Sequence, residues 1–207
     1  MTGKRLGFLI AIAAALLLPG RALAGRVVLP QPGDIGFVGV AQYGSLLNSG
    51  EIGKEFSSGP GFGLRLRYRM RYERGLGLSF ERHGFDPRHK LAPPPGALPD
   101  TTPSTSTILL TGFDMYQMFG TRTRTTKMLS AGVGLAQVSQ KLNDGETQSA
   151  GTGVGDGFYA GLGGEIEYFF WQSWAVDASF RYNAVILHDT TNHDFQIGIG
   201  LVFYASD

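Results

Sequence analysis

Apolar and polar residues alternate with a period of two along most of the chain, as they do in β-strands, where successive side chains point to opposite faces. The clearest segment spans 64–72, where four arginines alternate with leucine, tyrosine and methionine. The same pattern recurs in segments that begin at Leu76, Phe158 and Trp174. A helix built from any of these segments would spread its charges around its whole circumference. The alternation therefore predicts an all-β protein.

Eight strands are predicted, at 34–48, 60–73, 75–85, 106–119, 127–140, 157–171, 174–187 and 194–204. The first and the fourth alternate least clearly, because Gly39, Leu109 and Leu110 interrupt the pattern. Long connections rich in Gly, Pro, Ser, Thr and Asp alternate with tight ones, such as those near Gly75 and Ser173. This arrangement is typical of antiparallel up-and-down transmembrane β-barrels, which have long extracellular loops and short periplasmic turns.

Alternation does not say which face of a closed sheet is inside, because a secreted, soluble ligand-binding barrel with an apolar lumen has the same period. Charge favours a polar lumen, since the charged faces of the predicted strands carry five arginines and five carboxylates. Equal numbers suit a closed lumen, where an unpaired charge is costly. We therefore expect an ionic network inside the barrel, formed by Arg65, Arg67, Arg69, Arg71, Glu81, Asp114, Glu165, Glu167, Asp177 and Arg181.

Glycines and aromatic residues also favour a membrane barrel. Narrow eight-stranded barrels need small residues opposite long arginines, and the charged faces carry Gly132, Gly134, Gly161, Gly163, Gly198 and Gly200. Aromatic residues gather at the strand ends, as in the two interfacial girdles of a membrane barrel. Those at the long-loop end are Phe62, Phe85 and Phe158, and those at the tight-turn end are Tyr72, Phe119, Phe170, Trp171 and Trp174. The sequence thus predicts an eight-stranded antiparallel transmembrane β-barrel with its charges inside.

The N-terminus has the pattern of a secretory signal peptide. Lys4 and Arg5 precede an apolar run at 6–18, and a small-x-small cleavage site follows at 22–24. The 13 apolar residues of this run are fewer than the roughly 20 that a transmembrane helix needs. We predict a signal peptide at 1–24 and a single barrel domain at 25–207.

Composition narrows the chemistry. The 207 residues include no cysteine, which excludes a disulfide framework, a thiolate metal site and a cysteine nucleophile. The formal net charge of +1 gives no basic excess of the kind that nucleic-acid binding requires. We expect no nucleic-acid partner, no cofactor and no metal.

Four segments of the second half carry a family resemblance: a glycine-rich strand at 131–136, a hairpin arm at 160–169, Arg181–Tyr182, and a closing strand at 197–204. Together they resemble the OmpA-like small outer-membrane β-barrel proteins. The resemblance implies a barrel with both termini in the periplasm, inserted by the barrel-assembly machinery and surrounded by outer-membrane lipid and lipopolysaccharide. Such proteins usually end on an aromatic residue, whereas here Ala205 to Asp207 follow Phe203 and Tyr204, so one of these two would be the insertion signal.

Some barrels of this size hydrolyse lipid A acyl chains with a histidine near the outer leaflet, and the candidates here are His83, His89, His188 and His193. The His-x-Ser-Asn pattern of such deacylases is missing. We therefore assign no catalytic residue and expect a monomeric outer-membrane protein with a structural or surface-interaction role and no turnover chemistry. The alternatives are a lipid A acyl hydrolase and the secreted soluble ligand-binding barrel.

Overall fold

The computed structural model describes residues 27–88, 103–142, 147–148, 155–188 and 190–205. The predicted signal peptide at 1–24 lies outside these residues. The elements, in chain order, are β1 (Ile35–Leu46), α1 (Gly50–Glu55), β2 (Ser58–Arg71), β3 (Arg74–Phe85), β4 (Pro103–Phe119), β5 (Thr125–Leu142), β6 (Thr147–Gln148), β7 (Gly155–Trp171), β8 (Trp174–Ile186) and β9 (Thr191–Ala205).

Eight of these strands form a closed antiparallel barrel. Each long strand pairs with the next one along the chain, β5 pairs with β7, and β1 pairs with β9 to close the ring. The two-residue β6 only extends the end of β5. Both the strand number and the up-and-down order predicted from the alternation are confirmed, with strand ends that differ by up to three residues.

The connections fall into two groups at opposite ends of the barrel. Tight turns at 72–73 and 172–173 lie at the end where β1 begins and β9 finishes, as the pairing of Ile35 with Tyr68 and Ala205 requires. The five-residue turn at 120–124 lies at this same end. The connection between β1 and β2 lies at the other end and contains α1, a six-residue helix that was not predicted from the sequence. No helix among the described residues has the length and apolar character needed to cross a membrane.

The outer wall of the barrel is apolar. Its apolar side chains are well exposed, and the most exposed ones, at 59–65%, include Leu64, Leu78, Val133, Leu135 and Leu162. In the middle of the same strands the charged residues point the other way and are buried, among them Arg65, Glu81 and Glu165. A soluble barrel does not expose a continuous apolar belt, whereas a membrane barrel needs one to contact lipid. The polar lumen and apolar wall therefore confirm the membrane orientation and exclude the inverted soluble barrel.

Most of the predicted girdle residues do face outward, but Phe85 does not. Phe62 and Phe158 are 46% and 65% exposed near the long-loop end. Phe85 is fully buried in the lumen, where its ring stacks on His83 with the centroids 5.9 Å apart. The prediction was wrong because it considered only that Phe85 lies at a strand end. Phe85 is an even number of residues from Glu81 and His83 and therefore points to the same face of β3, which is the lumen face. At the other end Tyr72, Phe119 and Trp171 are 39–49% exposed.

The lumen is layered rather than uniformly polar. A large apolar cluster near the long loops includes Ile108, Leu110 and Val185, while a smaller one near the tight turns includes Val38 and Val202. Buried charged residues lie between and beside these clusters, since Val38 is paired with Arg65 in the register of β1 and β2. The layering explains why alternation was blurred in β1 and β4, because both faces of these strands are apolar where they cross an apolar layer.

We predict that a charge on the outer wall destabilises the barrel according to its depth. Leu66 lies in the middle of β2, opposite Phe37 and Leu78, so Leu66→Arg should lower the free energy of unfolding by about 2–4 kcal/mol. Tyr43 lies near the long-loop end and is 50% exposed, so the control Tyr43→Arg should cost only about 0–1 kcal/mol. Urea unfolding in lipid vesicles measures both, and equal costs would contradict a lipid-facing wall.

The charged lumen as the candidate functional site

The inward direction of the charged residues follows from the strand period. In β2, Arg65, Arg67 and Arg69 alternate with lipid-facing residues and are 3%, 0% and 0% exposed. On the far side of the ring, Glu165 and Glu167 occupy alternate positions of β7, so both also point inward, and both are buried. Strands β2 and β7 stand opposite each other in the eight-strand ring, so these side chains meet across the lumen.

Arg65 links one neighbouring and one opposite strand. Its Nη2 donates to Glu81 Oε1 on the adjacent β3 at 2.8 Å, and its Nη1 donates to Glu165 Oε1 on β7 at 3.1 Å. Both partners are almost completely buried. One guanidinium therefore ties three strands together, which a compact lysine ammonium would do less well because it lacks the planar fork of donors.

Arg67 has the most carboxylate partners. It forms ion pairs with Glu165 and Glu167, and its Nη2 lies 3.5 Å from Asp177 Oδ2 on β8. Its guanidinium also lies over the ring of Tyr116, 5.2 Å from the centroid, in cation–π geometry. A fully buried arginine is stable only when surrounded in this way, because desolvation of its charge is expensive.

Arg181 and Arg69 extend the network toward the two ends. Arg181 of β8 donates to Glu81 Oε1 at 2.9 Å and to Asp114 Oδ1 at 2.5 Å. Arg69 lies 3.5 Å from Glu167 Oε2 and stacks over Tyr204, 4.9 Å from the ring centroid. Because β3 and β8 are also opposite each other, ion pairs cross the lumen in two different directions.

Tyrosines of the lumen also take part, although they were not predicted from the sequence. Tyr204 donates its hydroxyl hydrogen to Glu167 Oε1 at 3.0 Å, and the Tyr116 hydroxyl lies 3.3 Å from Asp114 Oδ2. Strand parity was the signal that could have found them, since each lies an even number of residues from a buried charge on its own strand.

Nine of the ten predicted network residues are brought together, and Arg71 is the exception. The register between β2 and β3 shifts between Arg69 and Arg71, which is the mark of a β-bulge. A bulge inserts an extra residue and re-aims the side chains after it. Arg71 is therefore exposed at the rim, and its placement in the lumen was wrong.

The predicted balance of five charges of each sign was also wrong. Arg71 leaves the network, and Asp194 of β9 joins the buried residues with 1% of its surface exposed. The described strands thus bury four arginines (Arg65, Arg67, Arg69 and Arg181) against six carboxylates, namely the five predicted ones and Asp194. Asp194 has no arginine partner among the described residues; its Oδ2 accepts a hydrogen bond from Gln196 Nε2 at 2.5 Å.

Glycine provides the space that the network needs. A methyl group on Gly132 would collide with the Asp114 carboxylate, and one on Gly77 would come within 2.8 Å of the Tyr116 ring. Several polar atoms beside the network, including both ring nitrogens of His83 and Oε1 of Gln42, have no hydrogen-bond partner in the part of the chain that the structure describes. Buried polar groups are nearly always hydrogen-bonded, so these atoms point to internal water as the remaining partner.

The candidate catalytic histidines are not brought together. His83 faces the lumen, His188 is exposed in the connection after β8, and His193 lies on the outer wall, where its Nδ1 is 2.6 Å from the Tyr182 hydroxyl. His89 lies outside the described residues. Within the described part of the chain, no three histidine, aspartate or glutamate side chains are grouped to hold a metal ion.

We predict that Arg67→Ala destabilises the barrel strongly. The substitution removes the only cationic partner that Asp177 has among the described residues, and one partner each of Glu165 and Glu167. Breaking a buried ion pair in this way costs about 3–5 kcal/mol. Urea unfolding in lipid vesicles tests this expectation. A change below about 0.5 kcal/mol, as at an ordinary surface position, would show that the network does not contribute to stability.

Asp194→Asn, in contrast, should not destabilise the barrel strongly. The asparagine oxygen can still accept the hydrogen bond from Gln196, and the substitution removes a buried negative charge that has no arginine partner. The free energy of unfolding should therefore either rise or fall slightly, with a fall of no more than about 0.5 kcal/mol. Glu81→Gln is the matched control, because Glu81 pairs with both Arg65 and Arg181; it should cost about 3–5 kcal/mol. Similar losses for the two variants would contradict the observed charge distribution.

Solved structures of bacterial outer-membrane barrels resemble this fold. OprG from Pseudomonas aeruginosa superposes with a TM-score of 0.62 at 13% identity, covering 88% of this chain and 100% of that one. Neisserial surface protein A gives 0.59 at 16% identity, with 83% and 98% covered. Ail, the attachment invasion locus protein of Yersinia pestis, gives 0.52 at 13% identity, with 84% and 100% covered. At these identities the likeness concerns the fold alone.

Among curated protein sequences, no significant match to this chain is found. The model of the outer membrane protein β-barrel domain family matches residues 10–203, which is nearly the whole sequence. The match agrees with the closed eight-strand ring, the lipid-facing wall and the charged lumen. The chain belongs to the outer membrane protein β-barrel domain family and is a protein of the bacterial outer membrane.

Proposed function

We propose that this protein is a closed outer-membrane barrel with a structural or surface-interaction role, and that it neither conducts solutes freely nor performs turnover chemistry. The observation that carries the proposal is the filling of the lumen at three successive levels. Eight-stranded barrels have an interior that side chains can fill, and each level here is filled by different chemistry.

The first level is the mouth at the long-loop end. Ile52 and Phe56, in and just after α1, are 0% and 1% exposed and belong to the apolar cluster of the lumen. The backbone N–H of Ile52 donates to Asn192 Oδ1 at 3.0 Å, and Arg88 donates to the backbone oxygens of Gly53 and Leu46 at 2.7 and 2.6 Å. These bonds hold α1 over the mouth.

The second level is the ionic network. Its arginines and carboxylates pair across the lumen between opposite strands. A solute passing through would have to separate charges that are shielded from water by apolar layers, where each lost pair is costly. This level supports a barrel without a continuous wide path.

The third level is the mouth at the tight-turn end. Val27 and Leu29, which precede β1, pack against the apolar cluster that includes Phe169 and Tyr204. The backbone N–H of Val28 donates to the oxygen of Gln172 at 3.1 Å, so the segment is also tied to the turn between β7 and β8. The segment before β1 therefore contributes to the filling of the lumen at this mouth.

Contacts with the surroundings are also part of the proposal. Lipopolysaccharide is the proposed partner at the long-loop end, where the connection after β3 carries Arg88, His89 and Lys90 near its start. Phe203 is the proposed insertion signal for the barrel-assembly machinery, because it faces outward and packs on Trp174 at 5.0 Å, whereas Tyr204 is buried in the lumen. We propose a monomer in the membrane.

The proposal of no turnover chemistry rests on where the histidines lie. A lipid A acyl hydrolase needs a histidine that faces the outer leaflet and lies within hydrogen-bond reach of the hydroxyl nucleophile. His83 faces the lumen, and the outward-facing His193 is hydrogen-bonded to the phenol of Tyr182 rather than to a serine hydroxyl. This arrangement favours an inert barrel over the hydrolase.

We predict no unitary conductance of porin size in planar bilayers. Arg67→Ser combined with Glu165→Ser removes one cross-lumen pair and should raise conductance if the variant folds, which its gel mobility before and after boiling reports. Ile52→Ser is the control, because the ionic network still fills the lumen below it. Large, stable conductance steps from the unmodified protein would contradict the proposal.

Lipid A composition tests the catalytic part. In cells producing the protein, His188→Ala and His193→Ala should leave the mass spectrum of lipid A unchanged relative to the unmodified chain, because neither residue takes part in acyl chemistry. A shift equal to one acyl chain in either variant would show hydrolase activity.

A further inference from the structure

The bulge that removes Arg71 from the lumen places it in a basic pocket on the outside of the barrel. The pocket has a volume of about 680 Å³ and lies between the β2–β3 turn and the β4–β5 turn. Its walls are formed by Arg71, Tyr72, Glu73, Arg74, Gly120, Thr121, Arg122 and Thr123.

Positive charge in this pocket is not neutralised by the protein. Three arginines against Glu73 leave a formal charge of +2 on its walls, and Arg124 and Lys127 are exposed close by in sequence. Among the described residues, none of these five basic side chains forms an ion pair. This contrasts with the lumen, where all four buried arginines have carboxylate partners.

The pocket lies at the membrane interface. Tyr72 lines it directly, and Arg122 lies over the Tyr72 ring, 5.3 Å from the centroid. Phe119 and Trp171, at the same end of the barrel, are 49% and 40% exposed, as expected of an interfacial girdle. Tight turns of an outer-membrane barrel face the periplasm, so the pocket opens at the headgroup level of the periplasmic leaflet, which consists of phospholipid.

An apolar groove continues from the pocket along the outer wall. Arg74 lines both, and the groove, of about 550 Å³, is otherwise mostly apolar. Its apolar residues include Met70, Leu76, Met115, Leu129 and Leu162. A basic pocket that leads into an apolar groove matches one molecule with an anionic headgroup and an acyl chain.

We propose that this pocket and groove bind an anionic phospholipid of the periplasmic leaflet. Arg71, Arg74 and Arg122 would contact the phosphate, since a guanidinium donates two parallel hydrogen bonds to phosphate oxygens. The groove would hold an acyl chain. Glu73 opposes the binding of negative charge, which leads us to expect that Glu73→Gln binds the lipid more tightly than the unmodified chain.

Native mass spectrometry of the folded protein in detergent tests the assignment, with phosphatidylglycerol, phosphatidylcholine and inorganic phosphate as probes. Phosphatidylglycerol should bind one molecule per barrel and more tightly than zwitterionic phosphatidylcholine. Each arginine lost should weaken that binding by about fivefold, so Arg71→Gln with Arg122→Gln should weaken it by about 25-fold. Arg82→Gln is the matched control, because Arg82 is an exposed arginine on β3 near the opposite end of the barrel.

The arms of this experiment separate the possible outcomes. Gel mobility before and after boiling verifies that each variant is folded, and the single variant Arg122→Gln replaces the double variant if that one does not fold. Equal binding of the two lipids, or equal loss in Arg82→Gln and the pocket variants, would overturn the proposal. Displacement of the lipid by inorganic phosphate in comparable amounts would show a free-anion site and would also overturn it.

Discussion

The need to neutralise arginines inside a narrow closed barrel governs this structure. Arg65, Arg67 and Arg69 are directed inward by the period of β2, and the lumen is too narrow to keep them in bulk water. Their nearest sources of negative charge are Glu81 on the next strand and Glu165 and Glu167 on the opposite wall. The barrel is therefore tied together from inside as well as along its strand edges.

This arrangement also fixes the register. A slip of one residue in β2 would turn its arginines into the lipid and its leucines into the lumen. Apolar layers above and below the network exclude water and so strengthen the attraction within each pair, but they also raise the cost of any charge left without a partner. The surplus of two carboxylates, including Asp194, is the least stabilised part of this arrangement.

The alternation of residue types was enough to predict the strands, and the lengths of the connections indicated their order. The direction of the wall was predicted from the charges, the glycines and the aromatic residues at strand ends, because alternation alone is the same in an inverted soluble barrel. The deviations required information that alternation does not contain. A bulge after Arg69 moved Arg71 to the rim, and parity rather than position at a strand end put Phe85 in the lumen. Helix α1 is only six residues long, too short for its periodicity to be recognised.

The central claim is that ion pairs between opposite walls hold the barrel together, and a double-mutant cycle on Arg65 and Glu165 tests it most directly. Urea unfolding in lipid vesicles would be measured for Arg65→Met, Glu165→Gln and the double variant. The account predicts that the double variant costs at least about 1 kcal/mol less than the sum of the single variants, as contacting residues do. Additive costs within about 0.3 kcal/mol would contradict it, because they would mean that the two side chains do not interact across the lumen.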